Sequence, residues 1–548
     1  MNAFKPEKKL LHTLPPALLV LLVVLTFHTI LSNKFVAWDD PQNILANHMI
    51  RGLNWSNIKA MFTSEVLGVY QPISWLLFSC IYAAFGLHPA GYHLAGLTLH
   101  TANVVLLFFL IRRLLRVAQS EDSECGSQPV PKIGQISLGA TRPEHLCYGF
   151  TTLDFAAWSV AALYGLHPLR VEPMAWASGV PYTLAVFFSL LTVLAYLRYT
   201  SSLKPINRLI YYLLALSVFA CGALSKAIVT PLPVALLLLD IYPLGRLSLP
   251  PKLSARGTAR QVMQLIAEKI PFLLLSALIS IIGIIANIHA ATATTTPSPD
   301  IFERIGRAFY SIAFHLRLTI MPVNIAPHYW YEIGDISWTG YIVTAMLVIL
   351  ITLLALMARK KAPAIPSTWL AYIILLMPCT GLISHGVQIG ANRYTYFSTI
   401  PLFLLLSHGI TWAMSADRKK TMRIGIFFLM ATVLFASGMA SRKRCKVWQD
   451  SYTFWEEMVE SDPRHVEGLN NLVEIILKRD NVEQSLIFLQ IAAEADPKYP
   501  ATYNNLGEAY TRAGETRKAI EAYQKALNLD PDNIHAREAL REIEKKRE

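Results

Sequence analysis

Charge is scarce in this chain: Asp, Glu, Lys and Arg make up 16% of its 548 residues, against 53% hydrophobic residues. A soluble chain of this length divides into several domains and carries more charge. Cysteine is equally sparse. The six are scattered, Cys80, Cys221 and Cys379 in apolar segments, Cys125 and Cys147 in one polar loop, and Cys445 after the last apolar run. No spacing among them suggests a zinc site or a disulfide framework. There is no glycine-rich phosphate loop and no nucleophile motif, which argues against soluble nucleotide chemistry. No metal-ligand spacing is legible either, so the sequence names no cofactor and leaves a divalent ion open.

What the chain has is apolar runs of about twenty residues, the length that crosses a bilayer core. They predict an all-α, polytopic membrane domain over residues 1–446. The formal charge of +12 does not point to nucleic acid. Many of the basic residues lie in short loops between apolar runs, where they hold loops on the cytoplasmic side. Lys5, Lys8 and Lys9 precede a run from Leu14 to Leu31 with no small-x-small cleavage site after it. That predicts a retained first helix with a cytoplasmic N-terminus. Further spans are expected near 88–110, 151–166, 180–199, 207–225, 227–241, 270–290, 340–358, 367–386, 396–414 and 422–440. Two segments, 71–86 and 307–322, read as half-embedded, the first because it is short and the second because it carries His315 and Arg317. Arg112, Arg113 and Arg116 mark one cytoplasmic loop, and Arg246, Lys252, Arg256, Arg260 and Lys269 another.

The count is about eleven to thirteen crossings by run length, odd whether both doubtful segments or neither are included. The C-terminal region then lies outside the cytoplasm. The basic cluster Arg442, Lys443, Arg444 and Lys446 opposes that placement, though late helices follow the rule less strictly.

From Val447 onward the chain turns polar and a period appears. Asp462-Pro463, Asp496-Pro497 and Asp530-Pro531 recur every 34 residues, and Asn470-Asn471-Leu472 returns as Asn504-Asn505-Leu506. That is the tetratricopeptide period. It predicts an α-solenoid over 447–548, with a half-repeat from Trp448 to Pro463 and a capping helix from Asn533. The better copy reads Tyr503, Leu506, Gly507, Tyr510, Ala519, Tyr523, Ala526 and Pro531; the earlier has Val473 and Ser485 at the Gly and Ala positions. Such an array either binds a peptide or protein partner or braces the membrane domain.

The polar residues of the outer loops are the candidates for chemistry. Asp39 and Asp40 follow the first span in Phe35-Val36-Ala37-Trp38-Asp39-Asp40-Pro41, within an outer loop over 33–70. Acids beside hydrocarbon are costly and mark sites; Asp40 before Pro41 also fits a helix N-cap. His167 and Glu172 flank a proline-rich corner that fits either a site or a hydrogen-bonded turn. Lys226 lies between two tight spans, where it either snorkels to the interface or pairs with an anionic lipid phosphate. Arg393, beside Tyr394 and Tyr396, suits a phosphate at headgroup depth or an aromatic anchor. His328, Tyr329, Trp330, Tyr331, Glu332 and Asp335 form an aromatic and acidic loop of the kind that suits a sugar ring or a membrane surface.

With Trp38-Asp39-Asp40 after the first span, His167-Pro168 with Glu172, Lys226 before Pro231-Leu232-Pro233, Arg393-Tyr394 and a C-terminal repeat array in this order, the chain resembles the TMTC (transmembrane and tetratricopeptide-repeat-containing) O-mannosyltransferases and their bacterial relatives in the GT-C glycosyltransferase superfamily. The array is much shorter than in the eukaryotic members. The resemblance implies a GT-C-like fold and an inverting transfer of sugar from a polyprenyl-phosphate carrier to a hydroxyl of a protein or glycan on the extracytoplasmic side. It implies Asp39 as general base with Asp40 in support, Lys226 and Arg393 on the lipid phosphate, and His167, Glu172 and Tyr394 as further support. A bacterial inner membrane with a periplasmic repeat domain is the expected setting. The competing reading is a non-enzymatic membrane scaffold for envelope assembly, its repeats recruiting partners.

Overall fold

Long apolar runs become long helices because a peptide in hydrocarbon must satisfy its own backbone groups. The computed structural model describes residues 6–124, 151–247, 255–291, 300–330, 336–382, 388–415 and 418–547. Among them seven helices are long and apolar enough to cross a membrane: Leu14–Ser32, Pro89–Gln119, Ala177–Ser201, Pro205–Ser225, Arg256–His289, Trp338–Lys360 and Lys420–Trp448. Five shorter apolar helices join them, Pro72–Phe85, Thr152–Leu166, Ala227–Ile241, Ala364–Cys379 and Ile400–Ala413. The chain is a multi-pass integral membrane protein, all-α apart from a small ribbon in which Tyr329–Trp330 pairs antiparallel with Gln388–Gly390. Tyr331, Glu332, Asp335, Cys125, Cys147 and Lys252 lie outside the described residues.

Two units result. One comprises Met1–Phe35, Asp39–Ile325 and Tyr329–Cys445; the other comprises Val36–Trp38, Ala326–His328 and Lys446–Glu548.

In the first unit, Thr152–Leu166 packs against both Pro89–Glu124 and Ile400–Ala413. Its Ala156, Ala157, Ala161 and Ala162 are fully buried, small residues that let helices approach where lipid offers no hydrophobic drive. The outer helices instead expose Leu353, Leu354, Met357, Phe428 and Phe435, an apolar coat suited to acyl chains. Pro72–Phe85 has 14 residues, about 21 Å of helix against a core of about 30 Å. Ile301–Ile320 buries Ser311, Ile312, His315 and Leu318 along one stripe and exposes Phe302 and Ile320, and it packs on Trp338–Met357.

Lys269 differs from its expected place in a basic cytoplasmic loop. It lies inside the helix Ala255–Ala291, fully buried, with Nζ 2.5 Å from Asp240 Oδ2 and 2.6 Å from the Tyr196 hydroxyl. Arg246 bonds the same Asp240 and, through both terminal nitrogens, Glu268. A buried ammonium needs such a partner set, and its charge is spent on three helices rather than left to orient a loop.

The second unit is a succession of short helices: Ser451–Ser461, then Val466–Leu477 with Val482–Ala495, Pro500–Arg512 with Thr516–Leu529, and the closing Ile534–Arg547. Gly507 is required, since a Cβ there meets the Tyr523 ring at 2.5 Å. One period earlier the same two positions hold Val473 and Leu489, both fully buried. Volume is exchanged between partners, which keeps the packing. The recurring asparagines bridge copies: Asn505 Nδ2 donates to Asn470 Oδ1 at 3.0 Å, and Asn470 Nδ2 to Thr502 Oγ1 at 2.8 Å. Trp38 belongs to this unit and stacks on Phe454 at 5.3 Å, while the Ala37 amide donates to Ser451 Oγ.

Candidate functional site

The two acids of the first loop part company. Pro41–Leu45 forms a single π turn, and Asp40, at its start, makes no side-chain cap. This corrects the N-cap reading. The Asp40 carboxylate is fully buried and accepts hydrogen bonds from the Ser178 amide at 2.9 Å and the Ser178 hydroxyl at 2.6 Å. It fastens the loop to the turn before Val180–Ser201 and leaves Asp39 free to face the other way, as adjacent side chains must.

Asp39 lines a cavity of about 350 Å³ within the first unit, with Lys226, Arg393, Tyr182, Gln71 and Gln388 among its walls. Burial raises the Asp39 carboxyl above the usual carboxylate range, against the opposing pull of Arg393 and Lys226. Lys226 follows the end of Pro205–Ser225. Its Nζ donates to the neutral Gln71 Oε1 at 3.1 Å and lies 5.0 Å from the Tyr182 ring centre. Burial, aided by Arg393 and opposed by Asp39, pushes its ammonium down to about 8.

Arg393 is more heavily committed. Its Nη1 pairs with Glu172 Oε1, its Nη2 donates to Gln388 Oε1 at 3.0 Å, and its Nε donates to the Tyr182 hydroxyl at 3.2 Å. Its guanidinium also lies over the rings of Trp176 at 5.4 Å and Tyr394 at 5.2 Å. Burial works against the charge, but Glu172 and the tyrosines hold the group well above its ordinary value. Glu172, 1% exposed, thus neutralises Arg393 and does not itself line the cavity. Tyr394 lines it and donates to Gln388 Oε1 at 3.2 Å.

His167 does not line the cavity. Its Nδ1 accepts the Leu169 amide at 3.3 Å and its Nε2 bonds the Thr319 carbonyl at 3.0 Å. The ring caps the turn Pro168–Arg170. Three residues on, the buried Arg170 donates to Thr395 Oγ1 at 3.1 Å and Thr399 Oγ1 at 2.7 Å. That bond set ties the corner carrying Glu172 to the segment carrying Arg393. Gly179 closes the same corner, because a Cβ there meets the Pro173 backbone at 2.9 Å.

Gln71, Gln388, Ser178 and Tyr182 had no signal in the sequence, being single polar residues in separate segments. The cavity carries one carboxylate beside two cations, a donor set that does not fit a divalent ion. Among the described residues no three His, Cys, Asp or Glu side chains gather as a metal site. What the arrangement offers is a desolvated carboxyl group in one cavity with a lysine that bonds a neutral amide and lies near an aromatic ring.

Residues 500–533 match the tetratricopeptide repeat family. No curated protein matches the chain. Among solved structures it is similar to the crystal structure of ArnT from Cupriavidus metallidurans bound to undecaprenyl phosphate, with 14% sequence identity, 95% of this chain and 79% of that chain covered, and a TM-score of 0.35. At that distance the likeness carries no argument, and the reading of this chain rests on its own residues.

Proposed function

We propose that the chain is a membrane glycosyltransferase of GT-C type, moving a sugar from a polyprenyl-phosphate carrier to a hydroxyl of a protein or glycan on the extracytoplasmic side. One observation carries the reading: Asp39, Lys226 and Arg393, far apart in sequence, line one polar cavity. Asp39 takes the proton of the acceptor hydroxyl, whose oxygen attacks the anomeric carbon as the bond from that carbon to the phosphate oxygen breaks. The configuration inverts and polyprenyl phosphate leaves. A carboxylate raised above its ordinary range is a stronger base at neutral pH than an exposed one. The charge that grows on the leaving phosphate is met by Lys226. Arg393, already neutralised by Glu172, shapes the cavity and supplies the second contact. Asp40 supports the base by fixing its backbone.

The sidedness follows from charge. Ala177–Ser201 brings Tyr182 to the cavity and Arg198 to its other end, in the neighbourhood of Arg112, Arg113 and Arg116. Retention of those arginines in the cytoplasm supports an outer face for the cavity.

The test is binding of a short-chain polyprenyl phosphate to the purified full-length protein, read by native mass spectrometry. Saturable binding that weakens at least tenfold in Lys226→Ala supports the reading. Equal binding by wild type and Lys226→Ala removes the assigned phosphate site. The scaffold reading makes a separate forecast: deletion of 447–548 abolishes function in cells while Asp39→Asn leaves it intact.

A further inference from the structure

Four arginines converge on the membrane face away from the Asp39 cavity. Arg112, Arg113 and Arg116 come from Pro89–Glu124 and Arg198 from Val180–Ser201, and all four line a cavity of about 780 Å³. Tyr182 and Arg198 are separated by sixteen residues of one helix, about 24 Å, so this cavity and the Asp39 cavity lie at opposite ends of the same element.

Basic residues at helix ends ordinarily fan out to water one by one. Here they are gathered. Arg112 pairs with Asp154, and Arg113 Nη2 donates to the Leu197 carbonyl at 2.7 Å and Ser201 Oγ at 3.1 Å. Those bonds hold two guanidinium groups in place at the wall. Arg116 and Arg198 are exposed, and among the described residues neither forms an ion pair. Among the described residues four guanidinium groups therefore gather with one carboxylate, Asp154, an arrangement that like-charge repulsion disfavours and an anion relieves.

Depth decides what kind of anion. Phe109, Leu194 and Val218 continue the cavity wall away from the arginines. Phe109 lies seven residues before Arg116 on one helix, about 10 Å deeper into the membrane. A free phosphate has no use for that apolar wall, whereas a glycerophospholipid places its phosphate among the arginines and its acyl chains along the wall. We propose that this cavity is a binding site for an anionic phospholipid of the cytoplasmic leaflet, held by Arg116 and Arg198 in a frame set by Arg112 and Arg113. Basic pockets between membrane helices on that side suit such headgroups. The site is independent of the sugar-transfer reading.

The test is native mass spectrometry and thermal unfolding of the purified full-length protein in neutral detergent, with phosphatidylglycerol, phosphatidylcholine or inorganic phosphate added. Wild type is expected to retain phosphatidylglycerol at least tenfold more tightly than phosphatidylcholine and to gain thermal stability from it alone. Arg116→Gln with Arg198→Gln removes two exposed side chains that form no ion pair among the described residues; it should unfold like wild type without lipid and lose the preference. Equal retention of the two lipids by wild type overturns the proposal. So does an undiminished preference in the double variant, or protection by inorganic phosphate equal to that by phosphatidylglycerol.

Discussion

Asp39 and Lys226 oppose each other across one cavity with their proton affinities moved toward each other, the carboxyl up and the ammonium down to about 8. Under the proposed function Asp39 acts in its ionised form, so activity is expected to fall as pH drops through its raised value. The cation must be protonated, so activity is also lost as pH rises through about 8. kcat/KM is therefore expected to be bell-shaped, with its basic limb near that value. Lys226→Arg should keep the acidic limb and carry the basic one upward, because a guanidinium stays charged throughout. An unmoved basic limb in that variant would assign it to another group. The candidates themselves were visible in the sequence, as charges beside hydrocarbon stand out. Their neighbours were not: Ser178 holding Asp40, Gln71 holding Lys226, and Gln388 holding Arg393 and Tyr394 are ordinary polar residues until the fold brings them together.

At the scale of elements, periodicity was the informative signal, and it works where the interaction is local. The 34-residue recurrence located the repeat helices because each packs on its sequence neighbour. It did not explain why Val473 stands where Gly507 recurs. The structure supplies the reason: Leu489 stands opposite Val473 where Tyr523 stands opposite Gly507. Gly507→Val is therefore expected to destabilise the repeat unit by about 1–3 kcal/mol through overpacking. Adding Tyr523→Leu should restore most of that, as chemical denaturation of the full chain would read. Additive losses in the double variant would contradict the volume exchange. Lys269 was misread for the complementary reason. Its partner Asp240 lies 29 residues earlier on another helix, and a positive charge in a basic stretch looks the same whether it is buried or solvated.

For the whole molecule, run length gave the membrane domain, since hydrocarbon imposes one length on every span. It indicates sidedness less directly, because Arg442, Lys443 and Arg444 end the last long helix and pull against the odd number of crossings that run length predicts. The proposed sugar transfer needs the Asp39 face outside, and the odd crossing number expected from run length would carry the repeat domain to that side. A C-terminal alkaline phosphatase fusion, active only outside the cytoplasm, is expected to be active. Loss of its activity with normal protein level would reverse the assigned side of the repeats.

Sugar transfer by Asp39 is tested most directly by mass spectrometry of extracytoplasmic glycans and glycoproteins from cells carrying wild type or Asp39→Asn, at matched protein levels. Removal of a general base typically costs about 10²–10⁴-fold in rate, so a hexose-type mass on defined molecules should disappear in the variant. Its persistence at the wild-type level would contradict Asp39 as the base.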